Sequence, residues 1–217
     1  MTVINQVGKD IYQINTYDEK IGLSFNQYLI VDKCPILIHT GPIQLYEKIS
    51  RSIEKIISIQ KINYVFISHF ESDECGALSA FLKINKKLTP VCSEITARQI
   101  RGFEIAADPI IKRGSETLNL GGRELTFLDY PSEMHLWKGL IAYEPIDEIL
   151  YSSDIFIRWG KIAVPQIAVD ILKEIEAIPK VAAPNPEMRD ELIRTIKSLK
   201  IKKIAPGHGP ILDGLAT

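Results

Sequence analysis

The sequence predicts an α/β chain folded as an αββα sandwich, two mixed sheets packed face to face with helices outside. Three observations predict it. Short apolar, β-branched runs followed by turn-forming residues recur through both halves of the chain. Helical periodicity falls between pairs of such runs rather than in one block. Neighbouring runs without a helix between them occur in each half, as antiparallel strands do.

The opening reads as strands at 11–14, 25–31 and 35–38, the last delivering His39-Thr40-Gly41. Ile49, Ile53, Ile56 and Ile57 recur at helical spacing, so 45–57 is predicted as an amphipathic helix. Tyr64-Val65-Phe66-Ile67-Ser68 is short, β-branched and aromatic, which marks a buried strand. A second helix is predicted over 76–86, with Leu78, Phe81 and Leu82 on one face. Strand signals return at 90–92, 125–128, 140–143 and 149–151. A helix over 187–199 follows the breakers Pro184 and Pro186, and a last strand at 203–205 leads to His208.

The 217 residues suit a single domain spanning 1–217, and 46% hydrophobic with 24% charged residues is ordinary globular composition. The net charge of −1 and the brevity of Lys86-Lys87 and Lys202-Lys203 argue against nucleic-acid binding. Cys34, Cys75 and Cys92 are odd in number and widely spaced, which points to a reducing compartment. There is no signal-peptide pattern and no apolar run near the ~18–20 residues that span a bilayer, so a cytoplasmic protein without a membrane segment is expected.

The chemistry concentrates in His69-Phe70-Glu71-Ser72-Asp73-Glu74, released at the end of the 64–68 strand. His135, Asp154 and His208 each sit in a loop-like spot after their own apolar stretch. Three imidazoles with three or four carboxylates are too many for one metal and suit two. The set is oxygen-rich and lacks a thiolate, so iron or manganese is favoured over zinc. Glu74 is read as a ligand, a hydrogen-bond partner of ligands, or a cap on the following helix. His39 fits a buried histidine behind the ligands better than a seventh ligand. Cys75 reads as a small buried residue, Glu133 as surface, and Phe70, Tyr130, Trp137 and Phe156 as pocket walls.

These residues resemble the metallo-β-lactamase fold superfamily and, within it, the flavodiiron branch, over nearly the whole chain. Hydrolases of the superfamily carry H-x-H-x-D-H and the flavodiiron branch H-x-E-x-D-H. This chain reads H-x-E-x-D-E, so Glu71 sides with the diiron branch. Met134-His135-Leu136-Trp137 and 149–156, Ile-Leu-Tyr-Ser-Ser-Asp-Ile-Phe, are also similar to that branch. The resemblance implies that His69, Glu71 and His135 bind one iron, Asp73 and His208 the other, and that Asp154 bridges them. Two positions depart from the pattern: Glu74 stands where the family usually has His, and His39 where the fold usually has Asp.

The sequence ends at Thr217, shortly after His208, whereas flavodiiron enzymes continue into a flavodoxin-like domain whose FMN feeds the irons. A single metal domain with no bound flavin is therefore expected, similar to the stand-alone oxygen-binding diiron proteins linked to chemotaxis-type sensing. That likeness implies O2 binding as a sensor or carrier, with a chemoreceptor as partner. A second expectation is an O2 or NO reductase core fed by a separate flavoprotein or rubredoxin. A third is a binuclear hydrolase, which would use zinc to acidify water. A homodimer is expected by family likeness alone.

Overall fold

The computed structural model of the chain describes residues 2–131 and 138–215. The first half builds β1 (Thr2–Gly8), β2 (Ile11–Asp18), β3 (Leu23–Ile30) and β4 (Ile36–Ile38), then α1 (Tyr46–Glu54) and β5 (Tyr64–Phe66). It continues with α2 (Ser72–Cys75), α3 (Leu78–Ile84), β6 (Thr89–Cys92), α4 (Glu94–Gly102) and β7 (Ile110–Ile111). The second half contributes β8 (Thr117–Asn119), β9 (Glu124–Pro131), β10 (Lys138–Glu144), β11 (Ile149–Ser153) and β12 (Gln166–Val169). After these come α5 (Ile171–Glu176), α6 (Pro186–Lys197), β13 (Lys203–Pro206) and β14 (Ile211–Gly214).

The first sheet runs in chain order from β1 to β7, and the second in the order β12-β14-β13-β11-β10-β9-β8. Both are mixed. Strands β1 to β4 pair antiparallel, whereas β4, β5, β6 and β7 pair parallel. In the second sheet β11 pairs parallel with β13 and β12 with β14, amid antiparallel neighbours. Parallel neighbours need crossovers, which α1, α2 with α3, and α4 supply in the first sheet. The αββα sandwich expected from sequence is the architecture observed.

Period-two alternation distributes the apolar side chains over three layers. Ile36, Ile38 and Phe66 face the second sheet and meet Phe127, Leu140 and Ala142, while Leu37 and Val65 turn to helix residues such as Ile49, Ile53 and Phe81. On the far side Ile141, Leu150 and Ile204 pack with Leu192 and Ile196 of α6. Burial on both faces explains why the central strands read as continuous apolar runs.

The sequence reading does not mark β1, β7, β8, β12, β14 or α5, and three further local outcomes differ from it. The predicted 76–86 helix begins later, at Leu78, and the short α2 precedes it within the acidic motif. Helix α4 is absent from the sequence reading; it buries Thr96, Ala97 and Ile100 on one face and is started by Ser93, whose hydroxyl accepts from the Thr96 amide at 3.3 Å. Pro186 is the first residue of α6 rather than a breaker before it, since a first-turn residue needs no amide proton; Asn185 caps that helix through Met188 N.

Candidate metal centre

The parallel strand pairs explain where the site lies. His39 follows β4 and His69 follows β5, so both leave the first sheet at the same end. Asp154 follows β11 and His208 follows β13, which are parallel partners in the second sheet. The two sheets are joined at this end by backbone bonds from Leu140 N to Ser68 O and from Asn26 N to Gly207 O, both 2.8 Å. Gly139 sits in this seam because a Cβ there would lie 2.7 Å from the Ser68 carbonyl oxygen.

The imidazoles are aimed by their inner nitrogens. His208 Nδ1 donates to the Ser24 carbonyl at 2.9 Å, which leaves Nε2 facing the acidic cluster. Ser68 Oγ lies 3.0 Å from His69 Nδ1 and 2.8 Å from Ser153 Oγ. The loop bearing His208 is clamped from the first sheet. Asn26 Nδ2 donates to the carbonyls of Pro206 at 2.9 Å and Gly209 at 2.7 Å, and Tyr28 OH donates to Pro206 at 2.7 Å. Asn15 holds Asn26 in turn, at 2.8 Å. Gly209 adopts φ +97°, and a Cβ there would meet Arg158 Cβ at 2.6 Å.

Around Nε2 of these two rings the carboxylates converge. Asp154 Oδ2 lies 3.3 Å from His69 Nε2 and Asp154 Oδ1 3.4 Å from His208 Nε2. Glu71 Oε1 is 3.5 Å from His69 Nε2, and Asp73 Oδ2 is 3.0 Å from His208 Nε2. Donor atoms of His69, Glu71 and Asp154 form one group within 4.8 Å, those of Asp73, Asp154 and His208 a second, and those of Glu71, Asp73 and Glu74 a third. The first two groups share only Asp154. Five of the six residues the sequence analysis grouped as metal ligands are thus brought together. The sixth, His135, lies outside the described residues, as do Glu133 and Trp137.

Electrostatics ask for positive charge here. Burial disfavours charging His69, yet Glu74, Asp154 and Glu71 overcome it and hold its pKa well above the ordinary value. His208 is likewise pushed up to about 10 by Asp154 and Asp73 against its burial. Asp154 and Asp73 are held below the usual carboxylate range, because the imidazoles beside them outweigh desolvation. Glu74 is almost fully buried and its pKa is raised by that burial.

The donor set fits two divalent cations. Four carboxylates face two described imidazoles, and Glu74 Oε2 and Asp154 Oδ1 are buried without a hydrogen-bond partner. Cys75 is no competitor, since burial pushes its thiol up to about 12 and its Sγ points to the Glu71 carbonyl at 3.2 Å. Its reading as a small buried residue holds.

A cavity of about 720 Å³ opens over His69, Glu71 and Asp154, and Phe70, Tyr130 and Phe156 wall it as the sequence led us to expect. Sequence reasoning missed Trp159 and Arg158 in that lining, and it missed Ser24, Asn26, Ser68 and Ser153 behind the ligands. A hydroxyl directly before His69 and another before Asp154 were the available signal for the two serines. The other contacts join residues far apart in the chain.

A mixed αββα sandwich with an oxygen-rich, two-lobed ligand cluster at its strand ends defines a metallo-β-lactamase-type core of the flavodiiron branch. Known proteins share the fold. Structures of a flavo di-iron protein from Thermotoga maritima (TM-score 0.84, 22% identity) and of rubredoxin oxygen:oxidoreductase from Desulfovibrio gigas (TM-score 0.83, 20% identity) each cover 98% of this chain, which covers 58% of theirs. In sequence it is similar to diflavin flavoprotein A 1 of Synechocystis (29% identical over 88% of this chain and 34% of that protein). It is also similar to a nitric oxide reductase of Moorella thermoacetica (26% over 88% and 50%). The chain spans about a third to a half of the length of these curated relatives. The chain belongs to the family described as ODP family beta lactamase, whose model matches residues 23–209.

Proposed function

We propose that this chain is a non-haem diiron protein that binds dioxygen, as a sensor or carrier, at the floor of the cavity over His69, Glu71 and Asp154. The observation that carries the reading is Asp154, whose two oxygens face the two imidazoles separately, so that one carboxylate serves both halves of the cluster. Such a bridge suits metals ~3.5–4 Å apart. His69 and Glu71, with His135 from the 132–137 segment, are the ligands on one side; Asp73 and His208 are those on the other. Two irons bound there would supply two electrons to dioxygen. The oxygen donors of Glu71, Asp73 and Asp154 suit iron or manganese better than zinc, and Glu71 in place of an imidazole makes the site a poor zinc hydrolase.

The protein's own part is to hold the ligands and wall the cavity. Ser68 and the Ser24 carbonyl fix the ring planes of His69 and His208, so their Nε2 atoms stay aimed at the cluster. Phe70, Tyr130 and Phe156 give the cavity apolar walls beside the carboxylates. In a sensor, the occupied state would be read by a signalling protein such as a chemoreceptor. Three free cysteines suit a reducing cytoplasm, and no helix among the described residues is long and apolar enough to cross a membrane.

One observation favours a second reading. The cavity is far larger than a diatomic needs, and relatives include a nitric oxide reductase and a rubredoxin oxygen:oxidoreductase. A reductase core that takes electrons from a separate flavoprotein or rubredoxin would use the same ligands. The test is anaerobic ferrous protein titrated with O2, followed by an oxygen electrode and stopped-flow spectra. Uptake of one O2 per metal pair, with a long-lived coloured state, supports binding. Rapid sustained O2 or NO consumption with a flavin donor supports the reductase. Two tightly held zincs with hydrolytic turnover and no iron-dependent spectrum overturns both.

A further inference from the structure

We propose that Glu74 is a further metal ligand and that His39 positions it, the two forming an exchanged carboxylate–imidazole pair. The inference deepens the dinuclear reading and rests on it. Both residues depart from the flavodiiron pattern, which has an imidazole at the first place and a carboxylate at the second. The structure puts the two departures side by side, with His39 Nδ1 3.9 Å from Glu74 Oε1. One acid and one imidazole are kept, and their places are reversed.

Glu74 differs from the acids beside it. Its side chain is 1% exposed, against 54% for Glu71 and 18% for Asp73. Oε2 lies 3.8 Å from His69 Nε2 and has no hydrogen-bond partner. A buried carboxylate oxygen left bare is costly, and a cation is the partner that the surrounding acids favour. Capping does not account for it, because the N-cap of α2 is Glu71 and no side chain caps that helix. Donor atoms of Glu71, Asp73 and Glu74 lie within 4.8 Å of one another, a span that one ion can close.

The contact with His39 is built by the backbone. Thr40 N donates to Glu74 O at 2.8 Å and Ala77 N to Gly41 O at 3.0 Å, which ties the loop after β4 to α2 on both sides. His39 N donates to Phe66 O at 2.9 Å, and the residue accepts φ 62°, a strained conformation for a non-glycine. Its ring lies over Phe66 at 6.3 Å and is 4% exposed. An imidazole held there with a proton on Nδ1 can donate to one Glu74 oxygen while the other faces the metal. At 3.9 Å the pair lies beyond hydrogen-bond length, so on this proposal the bond forms only as the carboxylate turns to take up a metal.

The test measures metal content and affinity on the full chain, loaded with ferrous iron without oxygen and competed with a chelator. Wild type should hold two irons. Glu74→Gln, which keeps shape and removes the charge, should weaken one of them at least tenfold. Glu74→His alone sets two imidazoles against each other and should also lose metal. Combining it with His39→Asp should restore affinity to within about threefold, a rescue that misfolding cannot mimic. A Glu74→Gln chain that keeps both irons at wild-type affinity overturns the ligand, and a double variant no better than Glu74→His overturns the pairing. Should Glu74→Gln fail to fold, a crystal structure of iron-loaded wild type decides: Glu74 Oε2 at about 2.0–2.2 Å from a metal supports the inference, and a separation beyond about 3 Å overturns it. Wild type that binds no metal at all would instead defeat the dinuclear reading itself.

Discussion

Ser68 and Ser153 share a hydroxyl–hydroxyl hydrogen bond of 2.8 Å across the two sheets, each one residue before a proposed metal ligand. Ser68 lies between β5 and His69, and Ser153 ends β11 just before Asp154. Ser153 takes φ 49°, so the strand turns sharply there and presents Asp154 to the cluster. The bond makes the positions of His69 and Asp154 interdependent, because either strand can shift only by breaking it or carrying the other along.

Ser68→Ala should therefore affect the metal more than the fold. It removes the oxygen at His69 Nδ1 and leaves Ser153 without this partner. We expect metal affinity to fall about 10- to 100-fold while stability falls by about 1–2 kcal/mol. Chelator competition and urea denaturation of the metal-free chain separate the two. Unchanged affinity would show that the serine does not orient the ring.

Glu71→His turns the motif toward the hydrolase pattern. The variant should take up zinc in preference to iron and lose its oxygen-dependent colour. Metal analysis of protein grown with both metals available is the measurement. An iron-loaded variant that responds to O2 like wild type would remove Glu71 from its discriminating role.

Metal loading should release protons and tighten as pH rises. His208 is pushed up to about 10, so it is protonated near pH 7 in the metal-free chain, and His69 is raised in the same direction. Ligation needs the neutral rings, so affinity should climb until about pH 10. Calorimetry in buffers of different ionisation enthalpy counts the protons, and no release at pH 7 would contradict the pKa shifts. The sign reverses for the metal-free fold. A histidine pKa raised above its unfolded value of about 6.5 stabilises fully below that pH, and the contribution is lost as pH rises through about 10.

Asn26→Ala should cost about 3 kcal/mol, since it strips a donor from the Pro206 and Gly209 carbonyls and an acceptor from Asn15. Denaturant titration checks the size. Because the same bonds clamp the loop bearing His208, occupancy of the site containing Asp73 should fall with stability. A destabilised variant with full metal content would show that the Gly207, Ser24 and Tyr28 contacts hold the loop without the Asn26 side chain.

The sequence by itself determined the fold class and marked out the candidate ligands because both depend on local order. Alternating apolar runs specify strands whatever their partners, and His69-x-Glu71-x-Asp73 is contiguous. All four histidines of the chain fall within the candidate set, so little background obscured them. Helix α4 escaped notice because its buried face is Thr96, Ala97 and Ile100, of which only Ile100 is a large apolar residue, and the edge strands β7 and β8 because they are too short to show a period. Only the tertiary structure decided which oxygen of Asp154 meets which imidazole, and that Glu74 turns inward to His39 while Glu71 stays exposed. Those outcomes depend on the parallel pairing of β4 with β5 and of β11 with β13, and on the seam between the sheets. Pairing across such distances is set by the burial and hydrogen bonding of the whole sandwich, which no single stretch of residues encodes.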